Sequence, residues 1–174
     1  MRTAGGPIRV PESWRSWRSF DWGYARPFSV GWYAVDHERR MYRIRELYGC
    51  TGAPNVGVQW EPAKVAREIR RMEEEDPNLH GKKIFGVADP AIWQSDGHES
   101  IGALMERERV YFEKGDHSRL PGKMQVHHRL AFDGDGVPML YVFSTCKHFI
   151  RTVPNLVYDE TDVEDTDTDG EAHL

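Results

Sequence analysis

The hydrophobic period of this chain changes from two residues to 3.6 residues about one third of the way along. Upstream of the change, Phe28–Val35 and Met41–Tyr48 are rich in β-branched and aromatic residues and flank a polar turn, which predicts a hairpin. Downstream, Val65, Ile69 and Met72 recur at the spacing i, i+4 and i+7, which predicts an amphipathic helix. A chain that passes from paired strands to helices folds into a layered α/β or α+β domain.

The same patterns predict the remaining elements, with Pro and Gly at many of their boundaries. The predicted strands are Ser19–Gly23, Phe28–Val35, Met41–Tyr48, Ile84–Ala88, Val110–Glu113 and Pro138–Phe143. The predicted helices are Glu61–Glu75, Ile101–Glu108, Gly122–Ala131 and Cys146–Arg151. A single domain of this size buries a core that needs no disulfide or metal to hold it.

Charge is divided unevenly along the chain. The formal net charge is −5, but eight of the 28 acids and none of the 23 Lys and Arg residues lie between Asp159 and His173. Residues 1–158 therefore hold 20 acids and 23 bases, a net charge of +3. The whole-chain sign argues against a nucleic-acid partner, whereas the mildly basic body does not. On composition alone the acidic tail is typical of a solvated, disordered end.

Several protein classes are excluded by pattern. No apolar run reaches the length of a membrane span and no basic-then-apolar leader opens the chain, so we expect neither a membrane segment nor a signal peptide. Cys50 and Cys146 form no CxxC or Cys/His pattern, which argues against a zinc module and fits a reducing compartment. The phosphate-loop pattern GxxxxGK[ST] is absent, so no ATP site is expected in this chain.

Two carboxylates occupy unusual places in the predicted strands. Asp21 lies within a strand just ahead of Gly23, and Asp89 closes the apolar run 84–88. A charged group inside a sheet must be paired, hydrogen-bonded or bound to a metal, and the carboxyl ends of strands are the usual ligand sites of open α/β sheets. Structural roles remain open for both: Asp21 would cap a turn, and Asp89 would cap a helix that begins at Pro90.

A series of short motifs resembles the nuclease domain of phage terminase large subunits, the DNA-packaging motor proteins. In chain order the motifs are FDWGYARPFSVGWYAVD, GVQWEPAKVAREIRRM, GVADPAIW, GKMQVHHRL and DVEDTDTDGEAH, and the resemblance extends from about Arg9 to His173. The resemblance implies a ribonuclease H-like α/β fold. Its mixed five-stranded sheet has the order 3-2-1-4-5, with helices on both faces and an added edge strand or hairpin.

The resemblance also implies a chemistry. Strands 1 and 4 are neighbours in that order, so Asp21 and Asp89 would face each other as catalytic residues and hold two divalent ions, Mg²⁺ or Mn²⁺. Carboxylates suit these hard cations. Two such ions activate an attacking water and stabilise the leaving 3′ oxygen of a phosphodiester. The implied activity is metal-dependent endonucleolytic cutting of concatemeric double-stranded DNA during genome packaging.

The third acid of the family pattern would lie beyond the last residue of this chain. His173 matches a histidine of that pattern, and the acid would follow three residues later, past Leu174. Asp169 or Glu171 would have to swing in as a substitute metal ligand, so we expect weak or absent cleavage by this chain. Residues 165–170 also match the start of a calcium loop, but its twelfth-position Glu is missing as well, and calcium binding is not expected.

Basic residues near the implied cleft are candidates for DNA contacts. Lys114, Arg119 and Lys123 form a sparse stretch that would neutralise backbone phosphates without reading bases. A solvated loop is the alternative for each of them. His127 and His128 are typical of a helix surface rather than of a metal site.

The implied organisation is a linker arm at 1–16 that follows a missing ATPase domain, a nuclease body at 17–158, and an acidic tail at 159–174 that leads to the truncated third metal-ligand motif. In the intact protein the implied partners are double-stranded DNA, the ATPase domain, the portal ring, the small terminase subunit and other copies of itself, without a membrane. The implied location is the host cytoplasm, at the procapsid portal.

Two alternative functions stay open. Another ribonuclease H-like enzyme, such as a junction resolvase or a transposase, would share the fold and the metals and differ in substrate. A catalytically dead DNA-binding or motor-docking domain would fit a chain that lacks the third acid.

Overall fold

The strands that the structure describes form one mixed six-stranded sheet. The computed structural model describes residues 9–95, 97–116 and 119–153. The strands are β1 (Arg15–Asp21), β2 (Ser29–Val35), β3 (Met41–Tyr48), β4 (Ile84–Ala88), β5 (Glu113–Lys114) and β6 (Leu140–Val142). Their order across the sheet is β5-β4-β1-β2-β3-β6. This order confirms the predicted ribonuclease H-like sheet, and β6 is the added edge strand.

Helices lie on both faces of this sheet. They are α1 (Pro62–Glu75), a 3-10 turn (Pro90–Trp93), α2 (Ile101–Arg107), α3 (Arg119–Leu130) and α4 (Lys147–Thr152). The helices α1 and α2 pack against each other over one face, and α4 packs against β3. None of the helices in the described part of the chain is both long enough and apolar enough to cross a membrane.

The central strand, β1, starts four residues earlier than the sequence predicts. It pairs antiparallel with β2 and parallel with β4 along its length. Ser16, Arg18 and Phe20 are buried on one face of the sheet, whereas Trp17 on the other face is 36% exposed. Because Arg15 and Arg18 are charged, this segment has the composition of a polar arm. The alternation of buried and exposed residues along the strand is therefore not visible in the sequence.

The hydrophobic core lies between the sheet and the two helices α1 and α2. Val65, Ala66 and Ile69 of α1 are completely buried, together with Trp32 of β2 and Met105 of α2. This confirms the amphipathic helix predicted from the 3.6-residue period. Burial of each large apolar side chain stabilises the fold by about 1.5–3 kcal/mol.

A buried ion pair connects β1 to α1. Arg18, only 5% exposed, contacts the carboxylate of Glu73 through Nη1 and donates a hydrogen bond of 3.0 Å from Nη2 to the carbonyl of Tyr111. Glu73 also accepts a hydrogen bond of 2.8 Å from Nε1 of Trp32. The guanidinium lies 4.6 Å from the centre of the Phe112 ring. Since a buried charge is tolerated only with its partner, these contacts fix α1 relative to the central strand.

A second buried arginine connects β3 to α4 on the opposite face. Arg43, 1% exposed, lies 4.2 Å from the centre of the Phe149 ring and 3.8 Å from the Glu46 carboxylate. Glu46 accepts hydrogen bonds from the backbone N–H groups of His148, at 2.7 Å, and Phe149, at 3.1 Å. Burial raises the pKa of the neighbouring Cys146 thiol to about 11, so this thiol stays protonated inside the interface. The first turn of α4 is thereby tied to β3.

Several elements of the second half differ from the prediction in their bounds: β6 is shorter at both ends, α2 ends one residue earlier, and α4 is shifted by one residue. The strand β5 has only two residues, because Val110 and Phe112 turn into the core instead of pairing with β4. The helix α3 begins at Arg119, three residues before the predicted Gly122, since Pro121 is tolerated within the first turn of a helix.

The Arg18–Glu73 pair gives a testable prediction for stability. We expect Glu73→Ala to lower the free energy of unfolding by about 3 kcal/mol, because it leaves the buried Arg18 charge uncompensated. Glu75→Ala is the matched control: it removes a carboxylate from the same helix at an exposed position, where Glu75 pairs with Arg71, and should cost less than about 1 kcal/mol. Urea unfolding of both variants measures the difference, and equal losses would contradict the role given to Glu73.

Candidate functional site

The carboxyl ends of β1 and β4 meet at one edge of the sheet. The two strands run parallel with Phe20 beside Ala88, which places Asp21 and Asp89 next to each other. The backbone N–H of Asp89 donates a hydrogen bond of 3.3 Å to the carbonyl of Phe20. Both aspartates line a cleft of about 340 Å³ at this edge. The structure therefore brings together the two carboxylates that the sequence analysis singled out.

Asp89 also caps the 3-10 turn that follows it. Its Oδ1 accepts a hydrogen bond of 2.7 Å from the backbone N–H of Ala91, and Pro90 occupies the first position of the turn. The structural role weighed for Asp89 is thus confirmed. It does not compete with a ligand role, because the bond engages one carboxylate oxygen and holds the group in a fixed orientation. Asp21 is half-buried, whereas Asp89 is exposed.

A third carboxylate, Asp116, lines the same cleft and was missed by the sequence analysis. Asp116 comes two residues after the end of β5. Between them, the N–H of Gly115 donates a hydrogen bond of 2.8 Å to the carbonyl of Ala88 on β4. A Cβ at Gly115 would lie 3.2 Å from that same carbonyl oxygen, a tight contact that glycine avoids where the backbone approaches β4. Ser19 and Ser29 also line the cleft.

The other predicted site residues lie elsewhere or outside the described residues. Lys114 pairs with the buried Ala88, and its ammonium lies 5.7 Å from the centre of the Trp93 ring. The backbones of Arg119 and Lys123 belong to α3, and their side chains are not among those described. The predicted Asp169, Glu171 and His173 lie outside the described residues.

The donor set of the cleft suits a hard divalent cation. Asp21 and Asp89 offer carboxylate oxygens from adjacent strands, the type of ligand that Mg²⁺ and Mn²⁺ prefer. Within residues 9–95, 97–116 and 119–153, no three His, Cys, Asp or Glu side chains are grouped closely enough to hold a metal ion. Mg²⁺ keeps several of its waters when one or two carboxylates bind it, so two protein ligands are compatible with such a site.

The hydrogen bond that Asp89 accepts from Ala91 allows its structural role to be tested apart from any role as a metal ligand. We expect Asp89→Ala to lower the free energy of unfolding by about 1 kcal/mol, because the Ala91 N–H loses its partner. Asp89→Asn keeps a capping oxygen and should change stability by only a few tenths of a kcal/mol. Urea unfolding compares the two, and an Asn variant as unstable as the Ala variant would argue against the cap.

Solved structures of phage large terminases share this fold. The large terminase from a thermophilic bacteriophage, in complex with ADP, matches with a TM-score of 0.69 and 19% identity over 92% of this chain and 38% of that chain. The P22 large terminase nuclease domain matches with a TM-score of 0.67 and 14% identity, over 93% of this chain and 77% of that one. No protein-family model matches the chain, and neither does any curated protein. The chain thus has a terminase-like, ribonuclease H-like fold and spans less than two fifths of the thermophilic phage protein.

Proposed function

We propose that this chain is the nuclease domain of a phage terminase large subunit, a metal-dependent endonuclease that cuts concatemeric double-stranded DNA. The observation that carries the proposal is the cleft in which Asp21 and Asp89 meet at the carboxyl ends of adjacent parallel strands. The likeness of the fold to the P22 large terminase nuclease domain supports it. The motifs around the two aspartates support it as well, because they resemble those of that family in order and spacing.

In this proposal Asp21 and Asp89 hold Mg²⁺ or Mn²⁺. When bound, such ions supply an activated water and stabilise the charge on the leaving 3′ oxygen. The chain contributes the fixed orientation of the two carboxylates, one by the strand register and the other by the capping bond to Ala91. Asp116 adds negative charge to the cleft wall, which favours a cation there.

The partners and the location belong to the same proposal. The substrate is double-stranded DNA, and the intact protein would add an ATPase domain, the portal ring, the small terminase subunit and further copies of itself. It would act in the host cytoplasm at the procapsid portal, and no membrane partner is proposed.

Metal binding tests the two carboxylates directly. We expect calorimetric titration with Mn²⁺ to show binding that Asp21→Asn and Asp89→Asn each weaken at least tenfold, because an amide does not supply the carboxylate charge that a hard cation prefers. Asp135→Asn is the control, since Asp135 is an exposed carboxylate in a turn that does not line the cleft. Affinity for Mn²⁺ that is the same in all three variants would rule out this cleft as the metal site.

DNA cleavage tests the substrate. With Mn²⁺, we expect slow nicking and linearisation of supercoiled plasmid that Asp21→Asn abolishes, with no preference for a branched junction. Preferential cutting of the junction would identify a resolvase-like enzyme instead. If a version extended past Leu174 to restore the third acid of the family pattern binds Mn²⁺ and DNA but also cuts nothing, the non-catalytic docking domain is favoured instead.

A further inference from the structure

The helix α4 lies on the same side and edge of the sheet as the acidic cleft. Across the strands, Asp21 pairs with Ser29, and Ser29 pairs with Tyr48. Directly paired residues share one face of a sheet, so Tyr48 is on the side of Asp21, two strands or about 10 Å away. The ring of His148 lies over Tyr48 with 4.9 Å between ring centres. The first turn of α4 is thus a near neighbour of the cleft.

The buried arginine beneath α4 supports the same placement. Ser19 of the cleft wall pairs with Gly31, and a Cβ at Gly31 would lie 2.9 Å from Nη1 of Arg43. Arg43, which packs under Phe149 of α4, is therefore on the cleft side of the sheet. The helices α1 and α2 cover the opposite side.

The charge of α4 is entirely positive or neutral. Its sequence, Lys147–Thr152, contains Lys147, His148 and Arg151 and no acid. Lys147 and Arg151 are both exposed and stand one turn apart, so their side chains project from neighbouring positions on the helix. The carboxylate of Glu46, on the strand that α4 packs against, is buried beside Arg43 and accepts hydrogen bonds from N–H groups of α4. It therefore offers little negative charge at the surface.

We propose that α4 binds the phosphodiester backbone of double-stranded DNA through Lys147, Arg151 and the His148 ring. Tyr48, which lies under the His148 ring, is about 10 Å from Asp21 across the strands, a span of about three nucleotides at 3.4 Å each. Such backbone contacts fix the position of the duplex over the cleft and carry no sequence information. The inference rests on the proposed function, because it names where the DNA of that same site is held.

The basic side chains of Lys114, Arg70 and Arg107 do not share this placement. The ammonium of Lys114 lies over Trp93, next to the α2 side of the sheet. Arg70 is exposed on α1, and Arg107 is exposed on α2, where it pairs with Glu99. Arg70 and Arg107 carry the same charge as Lys147 and Arg151 but lie on the opposite side, which makes them a matched control.

The test compares two double variants in DNA binding without divalent metal, measured by fluorescence anisotropy with a labelled duplex of about three helical turns. For Lys147→Gln with Arg151→Gln, we expect at least a tenfold weaker affinity at low salt. The slope of log affinity against log salt concentration should also become shallower by about 1.8, because about 0.9 is lost for each phosphate contact. Arg70→Gln with Arg107→Gln should change the affinity less than twofold and leave the slope unchanged. Equal losses in both double variants would overturn the proposal.

Titration with Mn²⁺ distinguishes failure of this inference from failure of the proposed function. The Lys147→Gln with Arg151→Gln variant should bind Mn²⁺ as the unmodified chain does, since neither residue lines the cleft. If Mn²⁺ binds at Asp21 and Asp89 but DNA affinity does not depend on α4, only the inference about α4 is wrong. If DNA affinity depends on α4 but the cleft binds no Mn²⁺, the proposed nuclease function is wrong and the DNA-binding surface stands.

Discussion

The register between β1 and its two neighbours is the constraint on which the rest of the structure depends. Arg18 and Asp21 are three residues apart, so strand alternation sends them to opposite faces: Arg18 to Glu73 in the core, Asp21 to the cleft beside Asp89. A slip of one residue would exchange the two faces. It would expose Arg18 away from its partner and turn the carboxylate of Asp21 into the core. The packing of the core and the geometry of the cleft therefore both require the same register of β1 with its neighbouring strands.

Each face of the sheet is held by a buried arginine with a glutamate. Arg18 and Glu73 hold α1, and Arg43 and Glu46 hold α4. Buried ion pairs give little net stability relative to apolar side chains, because desolvation offsets their attraction. Their effect here is on geometry. Displacing α1 would leave Arg18 in the core without Glu73, and displacing α4 would take from Glu46 the N–H groups of His148 and Phe149. We infer that these pairs fix where the helices stand relative to the cleft more than they strengthen the fold.

The local sequence pattern is sufficient to predict an element when the spacing of its own apolar residues determines which face is buried. The helix α1 was predicted within one residue because Val65 and Ile69 repeat at helical spacing, and both are completely buried. Asp116 could not be found this way, because its position depends on the contact of Gly115 with Ala88, on a strand far away in the sequence. The same limit applies to Lys114. Its chain position suggested the cleft, but only the strand pairing shows which neighbours its side chain meets, and its DNA contact stays a prediction.

A cleft of carboxylates and a DNA backbone repel each other, so a nuclease built on this cleft needs positive charge from two sources. A cation between Asp21 and Asp89 is one source, and basic side chains beside the cleft are the other. The negative charge of Glu46 would offset these basic side chains if it were exposed at the surface of α4. Instead it lies against Arg43 and accepts the first N–H groups of that helix. In the proposed function, the carboxylate that anchors α4 would thus be kept from repelling phosphates. The sign of the charge changes along one sheet edge, and in the proposed function this local change, rather than the net charge of −5, would select DNA as the partner.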